Sequence, residues 1–321
     1  MQYQLAPMEG ITTYIYRNAY EHHFGGISTY YTPFISPHKD KTLNSRELNE
    51  VRPEHNQGME VVPQILTAST DDFLRTAKEL QQMGYTHVNL NCGCPSGTVT
   101  TKGKGAGMLD DPRVLDAFLA EIFEQSQINI SVKTRIGMQS ADEWEDILKV
   151  YEKYPLEELI IHPRVREDYY KNVPNKEVFA HTLEISHHTI TYNGNLFTAS
   201  DIQQCKEQFP QLEACMLGRG IIANPGLIQE AETGKSLDKE TFRAFHDEVY
   251  EGYRSIMSGD RNTLFKMKEL WCYMETLFEN GSKAAKKVRK ADKCVDYEIA
   301  VRQLLRESEL LPMEKRSNVV F

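Results

Sequence analysis

The chain has 321 residues, 40% of them hydrophobic and 26% charged, with a formal net charge of −9. This size accommodates one large domain and a smaller appendage, and the acidic balance excludes a protein that coats nucleic acid indiscriminately. No apolar run reaches the ~18 residues of a membrane span, and Met1-Gln-Tyr-Gln-Leu-Ala-Pro7 lacks the basic and apolar regions of a secretion signal, so a cytoplasmic location and no membrane partner are expected.

Apolar runs that end in Gly, Pro, Asn or a charge give eight candidate strands. In chain order they are Tyr3–Pro7, Ile27–Thr32, Glu60–Ile65, His87–Asn91, Ile130–Thr134, Leu159–His162, Thr189–Asn193 and Ala214–Leu217. Helical patterns separate most of them. Ser69 caps one that ends before Gly84, and Asp111-Pro112 starts another with Pro in the first turn. Ser140 and Thr198 open two more, while residues 40–58 read as a long loop. Alternating strand and helix predicts a parallel sheet, and eight such units over about 230 residues predict a (β/α)8 TIM barrel. A doubly wound open sheet is disfavoured, because no G-x-G-x-x-G turn follows the first strand.

Beyond about Gly234 the strand runs cease and helical spacing takes over, at Lys239–Ser258, Asn262–Asn280, Ser282–Arg289 and Asp296–Glu307. The division expected is a barrel domain over 1–235 and a small all-helical domain over 236–321. Residues 236–321 carry 16 Lys plus Arg against 15 Asp plus Glu, and residues 1–235 carry 21 against 31. The one dense basic cluster, Lys283-Ala-Ala-Lys-Lys-Val-Arg-Lys290 with Lys293, reads by itself as a solvated helix face. Trp271 and Tyr273 read as core of the helical domain.

A barrel of this kind works at the C-terminal ends of its strands. Those ends offer Pro7, Met8, Glu9, Gln64, Asn91, Cys94, Lys133, Arg135, His162, Arg164 and Asn193. The loops after strands seven and eight, Asn193-Gly-Asn195 and Gly218-Arg-Gly220, supply accessible amides and a fixed positive charge, the usual place for a phosphate. Lys133 and the Gln64 amide then read as ring partners of a cofactor whose phosphate sits there. Cys94 lies between Gly93 and Pro95 just past a strand, well placed for proton transfer, although free Cys is often simply a buried apolar residue. The six cysteines contain no C-x-x-C pair and no matched His ligands, so neither a metal nor a disulfide framework is expected. In an extended segment Cys92 and Cys94 would share a face.

Taken together, Ala6-Pro-Met-Glu-Gly10 with Arg17, Gln64-Ile65, Asn89-Leu-Asn-Cys-Gly-Cys-Pro-Ser96 with its Gly-rich sequel, Val132-Lys-Thr-Arg135, His162-x-Arg164 with Tyr170, Asn193-Gly194 and Met216-x-Gly-Arg-Gly220 with Asn224-Pro225 resemble the tRNA-dihydrouridine synthases, closest to the bacterial branch called type C. The resemblance runs from Leu5 to about Leu227 and continues faintly through the tail. The chain departs from the family pattern at Thr13, Thr67, Pro163 and Asn172. The resemblance implies FMN contacts at Pro7, Met8, Glu9, Gln64, Lys133, His162, Asn193, Gly194, Asn195, Gly218 and Arg219. It implies NADPH (or NADH) as a transient reductant, hydride transfer from FMN N5 to uracil C6, and Cys94 as the acid that protonates C5. A thiol is largely protonated at neutral pH, which suits that role. A monomer acting on tRNA is expected, its target uridine flipped out of the stack to reach the barrel mouth. Asn91, Arg135 and Arg164 are then expected to bind substrate, with Lys286, Lys287, Arg289 and Lys290 gripping the RNA backbone. Two other readings compete: a flavin oxidoreductase of a free pyrimidine or other small activated alkene, and a non-catalytic RNA-binding protein on an inherited barrel.

Overall fold

The computed structural model describes residues 1–38 and 42–316. Nine parallel strands form one sheet: β1 (Gln2–Leu5), β2 (Thr29–Tyr31), β3 (Val61–Val62), β4 (Gln64–Ile65), β5 (His87–Cys92), β6 (Asn129–Arg135), β7 (Leu159–His162), β8 (Ile190–Tyr192) and β9 (Ala214–Leu217). β1 pairs with both β2 and β9, so the sheet curls round until its ends, β3 and β4, meet. Only Pro63 separates those ends in the chain. Proline has no N–H to add to a ladder, which breaks the strand there. Its carbonyl still accepts from Asn89 N at 2.9 Å. β3 and β4 therefore act as one bent stave, and the expected (β/α)8 barrel is the fold observed.

Side chains alternate along each stave, and the inward set is polar at the floor. There the buried Glu158 carboxylate accepts from Gln4 Nε2 at 2.6 Å, from the Tyr31 hydroxyl at 2.6 Å and from Thr191 Oγ1. Two residues further along the staves the lining turns apolar, with Ala6, Val62, Ile160 and Met216 closing over the floor. One more step reaches the mouth, where His162, Asn193 and Gly218 stand. The barrel is plugged below the mouth, so chemistry is confined to the C-terminal end.

Helices fill the outside, and their starts follow the capping logic. Ser69 Oγ accepts from Asp72 N ahead of the helix Thr70–Gln82, and Asp111 accepts from Arg113 N at 2.9 Å ahead of Pro112–Gln125. Thr198 and Asp201 form a capping box before Ala199–Gln208. Within the expected loop over 40–58, residues 40 and 41 lie outside the described residues, and the remainder is more ordered than its sequence suggested. Asn44 and Glu47 build a capping box that starts the helix Ser45–Val51, and a 3-10 turn follows at Pro53–His55. The cause is tertiary. Arg17, fully buried, donates to Glu50 Oε2 at 3.0 Å, to Glu50 O at 2.7 Å and to Asn56 Oδ1 at 2.8 Å, pinning the segment to the barrel.

The tail is helical over Lys239–Ile256, Gly259–Met274, Lys286–Lys290 and Cys294–Glu307, with the short turn Gly281–Ala284 between. It does not stand apart. Phe245 meets Tyr16 edge-on at 5.5 Å and Phe24 at 5.4 Å, in a seam between Lys239–Ile256 and the barrel helix Tyr14–His23. One continuous hydrophobic cluster runs through both regions. No helix among the described residues is long and apolar enough to cross a membrane.

Candidate active site

Both glycine turns open on one cleft. Asn193 and Gly194 after β8, and Gly218, Arg219 and Gly220 after β9, line it together with Pro7 and Met8 after β1. Asn193 is held across the two staves by donating to Met216 O at 2.9 Å. Gly194 is glycine because a Cβ there would strike the Tyr192 hydroxyl, and Gly220 because a Cβ would strike Leu196 O. The turns therefore keep their amides close to the cleft by packing rather than by positive φ.

Lys133 and Arg219 line this cleft, and the buried Arg135 and Arg164 lie near enough that all four charges act on His162. The Lys133 ammonium has no hydrogen-bond partner among the described residues. Burial, with Arg135 adding to it, lowers its pKa to about 7. His162 lies among these charges and is pushed well below the ordinary imidazole range, first by burial and then by Arg135 and Lys133. It is neutral, and its Nε2 accepts from Arg164 Nη1 at 2.9 Å. Arg219 Nη2 donates to Asn195 Oδ1 at 3.1 Å, sharing that oxygen with Arg164 Nη2 at 3.2 Å. None of the four forms an ion pair among the described residues, and Asp168 is the carboxylate whose charge reaches Arg135 and Arg164. A cation cluster so poorly offset makes the potential here positive and favours a nearby anion.

Cys94 stands on the next loop, half-buried. Asn91 Oδ1 accepts from Gly93 N at 3.0 Å and Cys94 N at 2.9 Å, and Ala106 N donates to Cys94 O at 3.1 Å. Gly105, at φ +58°, brings the sequel of the loop against the Cys94 side chain, where a Cβ would collide. Burial raises the thiol pKa, and the charges acting on it are Arg135, Glu9 and Lys133. The thiol is thus protonated at neutral pH; it does not itself line the cleft, and Arg135 and Lys133 act on it through their charge. Cys92 does not share its face. The strand ends at Cys92, the Asn91-capped turn breaks the alternation, and the Cys92 thiol is fully buried 3.9 Å from Met108 Sδ.

Other expected residues are placed differently. Glu9 turns from the cleft into a neighbouring pocket and pairs with Arg46 at 2.8 Å. Gln64 is fully buried below the mouth, bonded to Asn89 and Asn91. Arg135 spends its guanidinium on three carbonyls, of Gly93, Val165 and Tyr169, and so ties two loops together. Arg164 likewise holds Asn172 O at 2.6 Å. In the tail, Lys286 and Lys290 are exposed, Lys287 meets Gln303 at 3.0 Å, and Arg289 is committed to Glu275 at 3.0 Å.

Besides Ala6, known only from its motif, four lining residues escaped the sequence reading of the site. Leu196 and Phe197 follow the Asn193 turn, and Phe197 lies under the Arg219 guanidinium at 5.2 Å. Tyr170, noted only as part of a motif, sits 4.6 Å from that guanidinium carbon. Tyr273 packs against the hydrophobic core as expected but serves the cleft as well. Trp271 is core, as expected, with Nε1 donating to the Tyr297 hydroxyl at 2.8 Å, whereas Tyr273 also reaches over the barrel to line the cleft. Their signal was legible only in part: the first two lie within a few residues of a glycine turn, whereas the route of the helix Gly259–Met274 is set by packing.

A parallel barrel with a cationic cleft on its last two loops defines the class of barrel enzymes that hold a phosphate-bearing cofactor at the C-terminal face. The chain belongs to the dihydrouridine synthase family, whose model matches residues 4–307. A tRNA-dihydrouridine(16) synthase of Pseudomonas putida is 27% identical over 307 residues, 92% of this chain and 94% of that protein. A probable tRNA-dihydrouridine synthase of Staphylococcus aureus is 30% identical over 234 residues, 69% of this chain and 68% of that one. Among solved structures, an old yellow enzyme homologue from Zymomonas mobilis aligns with a TM-score of 0.53 at 11% identity, over 76% of this chain and 92% of that chain, a likeness of fold.

Proposed function

We propose that this protein reduces a uridine of tRNA to 5,6-dihydrouridine, with FMN as its cofactor and NADPH as the reductant that recharges it. The observation that carries the reading is one cleft lined by two glycine turns, Lys133 and Arg219, with Arg135, Arg164 and the Cys94 thiol within electrostatic reach of it, in a chain of this family. The residues fit the cofactor. An unpartnered ammonium at Lys133 and an almost unopposed arginine cluster suit a phosphate and an electron-rich ring edge. When bound, the flavin supplies hydride to C6 of the uracil.

The chain's own groups do the rest. Arg219 with the amides of Gly194 and Gly218 holds the phosphate, and Asn193 fixes the two turns relative to one another. Lys133 offers a positive charge to the ring, and neutral His162 offers one N–H beside it. Cys94 donates its proton to C5, a role that its raised pKa favours at neutral pH. Arg135, engaged by three carbonyls, keeps the Cys94 loop in register with the loop after β7. Glu9, paired outside the cleft, acts on the mouth through its charge. The exposed Lys286 and Lys290 give the helical region its grip on RNA, with Lys287 beside them. Arg289 serves to hold that segment together.

The test is direct. Purified protein should be yellow, lose its colour with NADPH under anaerobic conditions, and form dihydrouridine in tRNA from cells that lack the gene. Position 16, for which the relative matched over almost the whole chain is named, is the first to map. Cys94→Ala should retain the flavin and lose at least ~100-fold in product formation, the scale of a lost general acid. A colourless protein, or full turnover by Cys94→Ala, would contradict this reading.

A further inference from the structure

A line of amides runs from the Cys94 loop down into the barrel, and its direction is dictated from the top. The backbone N–H groups of Gly93 and Cys94 can only donate, so the Asn91 atom that meets both is its oxygen. The Asn91 nitrogen then faces Gln64 Oε1, at 2.8 Å. That leaves the Gln64 nitrogen toward Asn89 Oδ1 at 2.7 Å, and the Asn89 nitrogen toward Ser131 Oγ at 2.8 Å. His87 Nε2 ends the line 2.7 Å from the same hydroxyl, with burial lowering its pKa to about 4. Gln64, Asn89 and Ser131 are each fully buried, so every link is costly to leave unmade.

We propose that Asn89 and Ser131, neither of which lines the cleft or touches Cys94, are positioning residues that set the thiol through Gln64 and Asn91. The inference rests on the proposed role of Cys94, but the geometry it describes belongs to the protein without cofactor. Removing the Asn89 amide frees Gln64 to turn over. Its amide then no longer presents a defined acceptor to Asn91, and Asn91 loses what holds its oxygen against the two N–H groups. The Cys94 loop should loosen, although no group that touches substrate has changed.

The experiment uses Asn89→Leu, close in size and without hydrogen bonds, and the milder Ser131→Ala. In flavin-free protein, alkylation of Cys94 by iodoacetamide is followed by peptide mass, with the exposed Cys272 as internal reference. Asn89→Leu should raise the Cys94 rate at least threefold relative to Cys272, and Ser131→Ala should raise it less but in the same direction. In the loaded enzyme Asn89→Leu should lower kcat tenfold or more, leave KM for tRNA within about threefold, and shift the flavin absorption band. Unchanged Cys94 alkylation in the folded variants would overturn the proposal. If Asn89→Leu does not fold, Ser131→Ala decides by the same ratio. Wild-type protein that makes no dihydrouridine would sink the proposed function while the alkylation ratio still judged the relay.

Discussion

Lys133 shows how the cleft is tuned at the level of one side chain. Its folded pKa of about 7 lies far below that of a free lysine because burial and Arg135 both oppose the charge. Between about pH 7 and pH 10.5 the unfolded chain holds a proton that the folded chain has shed, so stability rises with pH across that window. Lys133→Met removes the effect: without cofactor, the variant should be more stable than wild type at pH 7 and below, and its lead should shrink toward pH 10. Urea midpoints at several pH values check this, and a constant difference would contradict it. An anion in the cleft raises the same pKa, so FMN should bind more weakly as pH climbs from about 7 to 9. Gly194 makes a second case. Gly194→Ala should cost about 1–3 kcal/mol by overpacking against the Tyr192 hydroxyl. Adding Tyr192→Phe should recover part of that loss, a coupling that a double-mutant cycle would measure. That Lys133 and the two glycine turns meet at one cleft was legible because strand ends in a barrel are predictable places. The full burial of Gln64 and the engagement of Arg135 were not, since both depend on which carbonyls and amides lie across the barrel.

Among the elements, the seam between Tyr14–His23 and Lys239–Ile256 matters most. Phe245 is 1% exposed and packs on Tyr16, Tyr20, His23 and Phe24, so Phe245→Ala should cost about 3–5 kcal/mol. The change should loosen the whole chain rather than the tail alone, visible as a lower midpoint for barrel and tail probes together. The helix Gly259–Met274 shows why a separate helical domain was only part of the description. Tyr273 enters the cleft from it, and Lys266 donates to Gly10 O at 2.8 Å in the loop after β1. Helix starts were readable from Ser69, Asp111 and Thr198 because caps are local. The helix Ser45–Val51 was missed because its order comes from the buried Arg17, which lies 33 residues from Glu50.

For the molecule as a whole, the shared core changes what a truncation can reveal. Removing residues 236–321 would uncover Tyr16, Tyr20 and Phe24, so loss of activity on tRNA would not separate RNA binding from unfolding. Surface charge reversal is the cleaner test. Lys286→Glu with Lys290→Glu should leave thermal stability and flavin content unchanged while weakening tRNA binding. The slope of log affinity against log salt should fall by about 1 to 2, as expected for one or two lost phosphate contacts. An unchanged slope would remove these lysines from the interface.

Local chemistry written in the chain determined the eight staves, several helix starts, the family and the residues gathered at the strand ends, because periodicity, capping and short motifs act over a few residues. Tertiary structure decided which of those residues share the cleft, which are held as clamps, and that Tyr273 of the tail lines it. Those outcomes turn on side chains far apart in sequence competing for the same buried carbonyls and the same apolar surface, a contest that no local pattern records.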